Sequence, residues 1–156
     1  MKITFIAVGG LKAPGAAAYA GTYAKRIERF SKTAFIEIKE ESAPASMPRQ
    51  DILKKEAARI LGKIAPGAYV VALADSGREY ASRELAGFIE AQQTRGCKEL
   101  CFITGGAYGL HPMVMERADE VMALSRMTLP HDLARIVLAE QVYRAYTILK
   151  GEPYSH

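Results

Sequence analysis

Cysteine is scarce in this chain: Cys97 and Cys101 are the only two among 156 residues. Two thiols are too few for the disulfide framework of a small secreted domain, and with one at a helix end and one within a strand they read as buried or inert. The three histidines, His111, His131 and His156, show none of the paired spacing of a structural zinc site, so no metal is expected. No apolar run approaches the roughly 20 residues that span a bilayer, and no membrane association is expected. The opening MKITFIAVGG carries one Lys and a short apolar run without a small-residue cleavage site. It therefore reads as a first strand, not a signal peptide, and the protein is expected in the cytoplasm. Linkers, internal repeats and low-complexity tracts are missing too, so the length implies one domain over residues 1–156.

The residues that are present describe a globular protein. Hydrophobic residues make up 49% and charged residues 24%, which is enough apolar material for a real core. A net charge of +4 points mildly towards a polyanionic partner, because Lys and Arg attract phosphates.

Apolar runs and helical periods alternate along the chain. Residues 2–8 (KITFIAV), 34–39 (AFIEIK), 69–74 (YVVALA), 100–104 and 121–124 read as strands, the third as one covered on both faces. Asp75-Ser76-Gly77 is read as the turn after the third strand, and Ser82 as the N-cap of the helix beyond it. Helices are expected over 16–30, 49–64, from Ser82 to near Gly96, in a short piece begun by Pro112, and over 133–150, where Gly151 and Pro153 are stop signals. Residues 40–48 (EESAPASMP) form a loop without apolar periodicity. Strand and helix in alternation make a mostly parallel α/β sheet flanked by helices. The last helix is apolar on more than one side and needs a second burial partner, from which a homodimer is inferred. On the first helix, Lys25, Arg26, Arg29 and then Lys32 interleave with Tyr19, Tyr23 and Phe30; a solvated face with its aromatics packed on the sheet is favoured over an RNA-facing surface.

Three loops compete for the chemistry. The first, residues 10–15 (GLKAPG), looks superficially like a phosphate loop but has Ala16-Ala17 where Lys-Ser/Thr is required. The second, residues 105–109 (GGAYG), lacks dinucleotide spacing; its glycines are either a tight turn or a place where a ligand comes close to the backbone. The third, residues 124–129 (LSRMTL), leads through Pro130-His131 into the last helix; Ser125 and Thr128 serve either a ligand or the helix entry. Ligands in open α/β sheets settle outside the carboxyl ends of strands, so the second and third loops wall one pocket. His131 at a helix start reads as a structural hydrogen-bonding residue in preference to a base, and Asp75 is left outside the site.

GGAYGL, LSRMTLPHDLARIVLAEQVYRAY and the ending ILKGEPYSH together resemble the RlmH type of SPOUT-class methyltransferase, and the similarity runs the whole length of the chain. The resemblance implies a C-terminal trefoil knot over approximately residues 100–156, a rare exception to unknotted topology, and a dimer that completes the site. It implies S-adenosylmethionine as cofactor, held by Leu73, Gly105, Leu124, Ser125, Arg126, Met127, Thr128 and Leu129. The implied reaction is methylation of N3 of a pseudouridine in large-subunit (23S) ribosomal RNA on the assembled ribosome, with Arg144, Tyr154 and His156 as catalytic residues. The family's usual ending is Pro-Tyr-His and a basic residue, whereas here Ser155 separates Tyr154 from His156. Without the resemblance, Arg144 reads as an (i, i+4) partner of Glu140 and Tyr154 as a packed terminal anchor. Two rival functions remain at this point: a methyltransferase of the same class acting on another RNA base, and a non-catalytic ribosome-binding protein with the same fold.

Overall fold

Five strands and five helices follow one another in a computed structural model that describes residues 1–42 and 46–154. Residues 43–45 of the 40–48 loop, and Ser155 and His156, lie outside them. The elements are β1 (Lys2–Val8), α1 (Ala16–Glu28), β2 (Thr33–Ile38), α2 (Arg49–Leu61), β3 (Tyr69–Glu79), α3 (Ser82–Thr94), β4 (Glu99–Thr104), α4 (Pro112–Arg117), β5 (Glu120–Ala123) and α5 (His131–Lys150). The strands form one sheet in the order β2-β1-β4-β3-β5, and every pair is parallel.

Two covered faces follow from the two-residue period of a strand. Ile3 and Phe5 of β1, Leu100 and Phe102 of β4, and Val71 of β3 point to one face, where they meet Ile27 of α1, Leu85 and Ile89 of α3, and Leu138 and Val142 of α5. Ile6 and Val8, Cys101 and Ile103, and Val70 point to the other, against Ala57 and Ile60 of α2 and Val114 of α4. The central strands are apolar on successive residues because neither face meets water. Burial pushes the Cys101 thiol up to about 12, so it stays a neutral core residue.

Helix α5 lies in the first layer, flanked by α1 and α3, and its apolar breadth is largely explained there. Leu138, Ala139, Val142, Tyr143, Ala145 and Tyr146 are all buried within a single chain. The chain's own neighbouring helices thus cover these residues, while Leu133 stays exposed and Ile136, Val137, Ile148 and Leu149 are only partly buried. Two of the three aromatics pack on α5 and not on the sheet as expected: Phe30, just past the helix, stacks on Tyr146 with ring centroids 5.5 Å apart, and Tyr23 lies 6.1 Å from Tyr143, while Tyr19 is largely exposed.

Two local readings need correction. The Asp75-Ser76-Gly77 turn is a jog within a longer strand. Opposite β5, Met122 pairs first with Leu73 and then with Arg78, so the four residues between them leave the register and the strand resumes to Glu79. Gly77 makes this possible, since a Cβ there would lie 2.5 Å from the carbonyl carbon of Met122. Ser82 is not the cap of α3; Ala81 holds that position, its N–H donating to Glu84 Oε2 at 2.7 Å, while Ser82 Oγ donates to Gln141 of α5 at 2.7 Å.

Phe102 sits fully buried in the central strand. Phe102→Ala is expected to lower the unfolding free energy by about 3–5 kcal/mol, read from urea denaturation; a loss below about 1 kcal/mol would mean that the two faces are not packed through β4.

Candidate active site

The carboxyl ends of β3, β4 and β5 open into one cleft of about 930 Å3. Its walls are residues 73–76 from the jog of β3, Thr104 and residues 105–110 after β4, and Leu124, Ser125, Met127, Thr128 and Leu129 after β5, closed by His131 and Ala134 of α5. Both loops singled out in the sequence therefore face one space, together with Leu73. Arg126 is the exception: it is exposed and stands clear of the cleft that the rest of residues 124–129 line.

The turn after β4 closes on itself. Gly106 and Gly109 form an isolated antiparallel bridge, with the Gly109 N–H donating to the Gly106 carbonyl at 3.0 Å and Gly109 at φ 80°. A Cβ on Gly105 would fall 2.3 Å from the Gly109 carbonyl oxygen, so glycine is required there first by the turn and only through it by the cleft. In the other loop the Ser125 hydroxyl accepts the Met127 N–H at 2.9 Å and shapes the chain between β5 and α5.

His131 and Asp132 begin α5. Asp132 is buried, and its Oδ2 accepts the backbone N–H groups of Lys12 and Ala13 at 2.9 and 2.7 Å. The glycine-framed loop that superficially resembles a phosphate loop thus receives a carboxylate from its own chain. Asp132 Oδ1 lies 2.9 Å from His131 Nε2 without hydrogen-bond geometry, and His131 also lines the cleft. Arg135 completes the latch by donating to the Gly9 carbonyl at 2.9 Å and to Glu37 at 2.7 Å. Burial pushes the Asp132 carboxyl up, but the Ala13 and Lys12 N–H groups, with His131 and Arg135 nearby, outweigh it and hold it below its ordinary value.

Arg144 and Tyr154 occupy a different place. Both meet Glu140: Arg144 donates to Glu140 Oε1 from Nε at 3.0 Å and Nη2 at 2.7 Å, and the Tyr154 hydroxyl donates to the same oxygen at 3.1 Å. The Arg144 guanidinium lies 4.8 Å from the centre of the Tyr154 ring, and Tyr154 meets Tyr143 edge-on at 4.7 Å. The contacts of the plain structural reading, an (i, i+4) pair and a packed anchor, are both present. Ten residues separate Ala134, at the cleft, from Arg144, a rise of about 15 Å along the helix. One chain brings Leu73, Gly105 and the 124–129 loop together and leaves Arg144 and Tyr154 at a distance; His156 lies outside the described residues.

Sequence reasoning missed Ala74, Ser76 and Met115 as cleft residues and set Asp75 aside, yet Asp75 lines the cleft too. The signal for Ala74 and Ser76 was the Asp-Ser-Gly step at the end of an apolar strand. Tyr108, within the glycine loop, carries Arg49 over its half-exposed ring at 4.5 Å, a contact the sequence does not signal. Among the described residues no helix is long and apolar enough to cross a membrane, and no group of three His, Cys, Asp or Glu side chains is placed to hold a metal ion.

A parallel sheet with a cleft built from the loops after its last strands defines a class. Residues 1–156 match the family described as "Predicted SPOUT methyltransferase", and the chain belongs to that family. The chain is 46% identical over 157 residues to "Ribosomal RNA large subunit methyltransferase H" of Bacillus pumilus, with 99% of each chain covered. It is 41% identical, at the same coverage, to the protein of that name in Carboxydothermus hydrogenoformans. Solved structures show the same fold at lower identity. A probable methyltransferase from Bordetella pertussis superposes with a TM-score of 0.56 at 18% identity, covering 92% of this chain and 95% of that one. The tRNA (m1G37) methyltransferase of Aquifex aeolicus gives 0.54 at 11%, covering 92% and 70%.

The latch at the cleft has a pH signature. Because the folded pKa of Asp132 lies below the unfolded one, its contribution is present above the unfolded carboxylate range and is lost as the pH falls through the folded value. Asp132→Asn is expected to cost about 1–2 kcal/mol at neutral pH, with the gap to wild type closing in acid. Urea denaturation across pH checks this, and a gap that stays constant down to acid pH would remove the charge from the explanation.

Proposed function

We propose that this chain transfers a methyl group from S-adenosylmethionine to N3 of a pseudouridine in large-subunit ribosomal RNA, on the assembled ribosome in the cytoplasm. The observation that carries the reading is full-length identity of 46% to a ribosomal RNA large subunit methyltransferase H, joined to a cleft lined by the loops that the resemblance assigns to the cofactor. The cleft suits that molecule: its size, its mixture of Leu and Met side chains with exposed backbone, and the glycine turn on one wall offer room for an adenosine and polar groups for its base. Leu73, Gly105, Leu124, Ser125, Met127, Thr128 and Leu129 would hold it. Arg126, turned outward, fits an RNA contact better than a cofactor contact. Bound there, S-adenosylmethionine supplies a methyl that its sulfonium has already made electrophilic.

The protein's work is then alignment and proton removal. The imide nitrogen of a uracil-type ring is a poor nucleophile until its proton leaves, so a group that accepts that proton or stabilises the resulting anion is needed beside the target. Arg144 and Tyr154 are suited to that role, with His156 as a third member by resemblance. Reacting atoms must approach to about 3–3.5 Å, whereas the helical rise between the cleft and Arg144 is about 15 Å. This separation favours a homodimer in which one protomer provides the cleft and its partner the Arg144 and Tyr154 cluster. Met127, 75% exposed, lines the cleft, and Leu133, 44% exposed, follows the cleft residue His131 on α5; both are apolar surface for a partner to cover. The dimer and a knot over residues 100–156 belong to this reading.

Transfer of labelled methyl to ribosomes lacking the modification, followed by mass spectrometry of the digested nucleosides, is the direct test. Label in N3-methylpseudouridine is expected; label in another nucleoside would replace the substrate, and cofactor binding without transfer would favour a non-catalytic ribosome binder. Arg144→Ala is expected to lower transfer about 100-fold with cofactor affinity nearly unchanged, and equal losses would reduce Arg144 to a structural role. Gly105→Val is expected to weaken cofactor binding about tenfold or more by forcing open the turn. If the site is composite, mixing these two impaired chains restores activity through heterodimers that keep one intact site; no recovery, with heterodimers present, would place both functions in one chain.

A further inference from the structure

Five residues around the C-terminal half of α5 form a continuous hydrogen-bonded chain. Ser82 Oγ donates to Gln141 Oε1, Gln141 Nε2 donates to Glu140 Oε2 at 2.7 Å, and Glu140 Oε1 accepts from Arg144 and from the Tyr154 hydroxyl. The chain has a direction. Arg144 is a donor only, Gln141 turns its amide donor to Glu140, and Tyr154 gives its single hydrogen to the same carboxylate while keeping lone pairs to accept another. Glu140 is therefore the acidic group on which these donors converge.

The reading in the preceding section leaves the imide proton without a destination, and this inference rests on that reading. We propose that Glu140 is the terminal acceptor of that proton, reached through Tyr154. The N3–H bond gives its proton to the Tyr154 oxygen as the Tyr154 O–H gives its own to Glu140 Oε1. The N3 electron pair forms the new nitrogen–carbon bond while the sulfur–methyl bond breaks, its pair remaining on sulfur. Tyr154 ends unchanged, and Glu140 ends as a neutral acid.

The surroundings fit a relay. Burial first, then the Tyr23 hydroxyl and Glu140, hold the Tyr154 phenol above its ordinary value, so it does not rest as a phenolate and passes a proton only by losing its own. Hydrogen bonding to Glu140 likewise holds Arg144 firmly protonated. At the start Glu140 and Arg144 neutralise each other; once Glu140 is protonated, the guanidinium charge is uncompensated beside the developing imide anion. The other charged and titratable groups about the cluster are Arg26, Tyr23 and Tyr143, where Arg26 lies 5.5 Å from both ring centres, and Glu152, whose carboxylate is paired with Arg29 at 3.3 Å. From α3 comes the neutral hydroxyl of Ser82.

The test is Glu140→Gln in the full chain, assayed with ribosomes lacking the modification, S-adenosylmethionine affinity being measured in parallel. At neutral pH kcat is expected to fall about 100-fold or more with KM for ribosomes and cofactor affinity within about twofold of wild type. The deficit is expected to shrink as the pH rises and the imide ionises unaided. Tyr154→Phe is expected to share that pH-dependent recovery, and Glu140→Asp, which keeps a carboxylate, to retain more activity than Gln. A deficit in Glu140→Gln that is flat with pH, or one expressed in KM or cofactor affinity, would make Glu140 only a brace for Arg144 and overturn the relay while leaving the methylation reading intact. Wild-type transfer to an atom other than N3 would remove that reading, and the relay with it.

Discussion

Burial of α5 between α1 and α3 is the constraint on which the rest of the molecule depends. Its middle residues Leu138 and Val142 press on the face of the sheet formed by Ile3, Phe102 and Val71, so the helix cannot shift without opening the core. Its N-terminus and the polar side of its later turns carry polar groups that the buried residues hold in place. At the N-terminus, Asp132 and Arg135 pin residues 9–13 and bring His131 to the cleft. Further along, Glu140 gathers Arg144, Tyr154 and Gln141. A helix of this kind transmits position between two sites while keeping them apart.

Close backbone approach is the second organising feature. Gly105 and Gly77 both lie where a Cβ would overlap other main-chain atoms, Gly109 in one case and the Met122–Ala123 segment in the other. In each, one wall of the cleft is folded tightly against its neighbour, so the space between the walls is kept open by backbone geometry and not by side chains that could swing into it. That is the preformed cavity a small, flexible cofactor needs if the cost of ordering the protein is not to be charged against binding.

Most of the fold was legible in the residues because the central strands and the helices announce themselves by period. The runs 2–8 and 100–104 proved to be adjacent central strands, and the reading of 69–74 as covered on both faces held because α3 and α2 lie on either side. The jog at 74–77 escaped notice, since an Asp-Ser-Gly step signals a turn equally well whether the strand stops or steps sideways. The breadth of apolar residues on α5 reports how much of the helix is buried, but not how the burial divides between its own chain and a second one. Of the cleft, the 105–109 and 124–129 loops were legible through strand ends and glycine, and Leu73 through the family resemblance. The Arg49–Tyr108 contact and the Asp132 latch were invisible, because their partners are respectively a guanidinium 59 residues away and backbone groups about 120 residues away.

The sequence by itself determined the alternation of strand and helix, the two-faced core and the position of the loops that wall the cleft, since each follows from the spacing of apolar residues and glycine along a few neighbouring positions. Tertiary structure alone decided which helices cover α5, that the phosphate-loop-like segment is filled by Asp132, and that Tyr154 joins the Arg144–Glu140 pair away from the cleft. Those depend on distances between residues far apart in the chain, and such distances exist only once the sheet order β2-β1-β4-β3-β5 has been chosen.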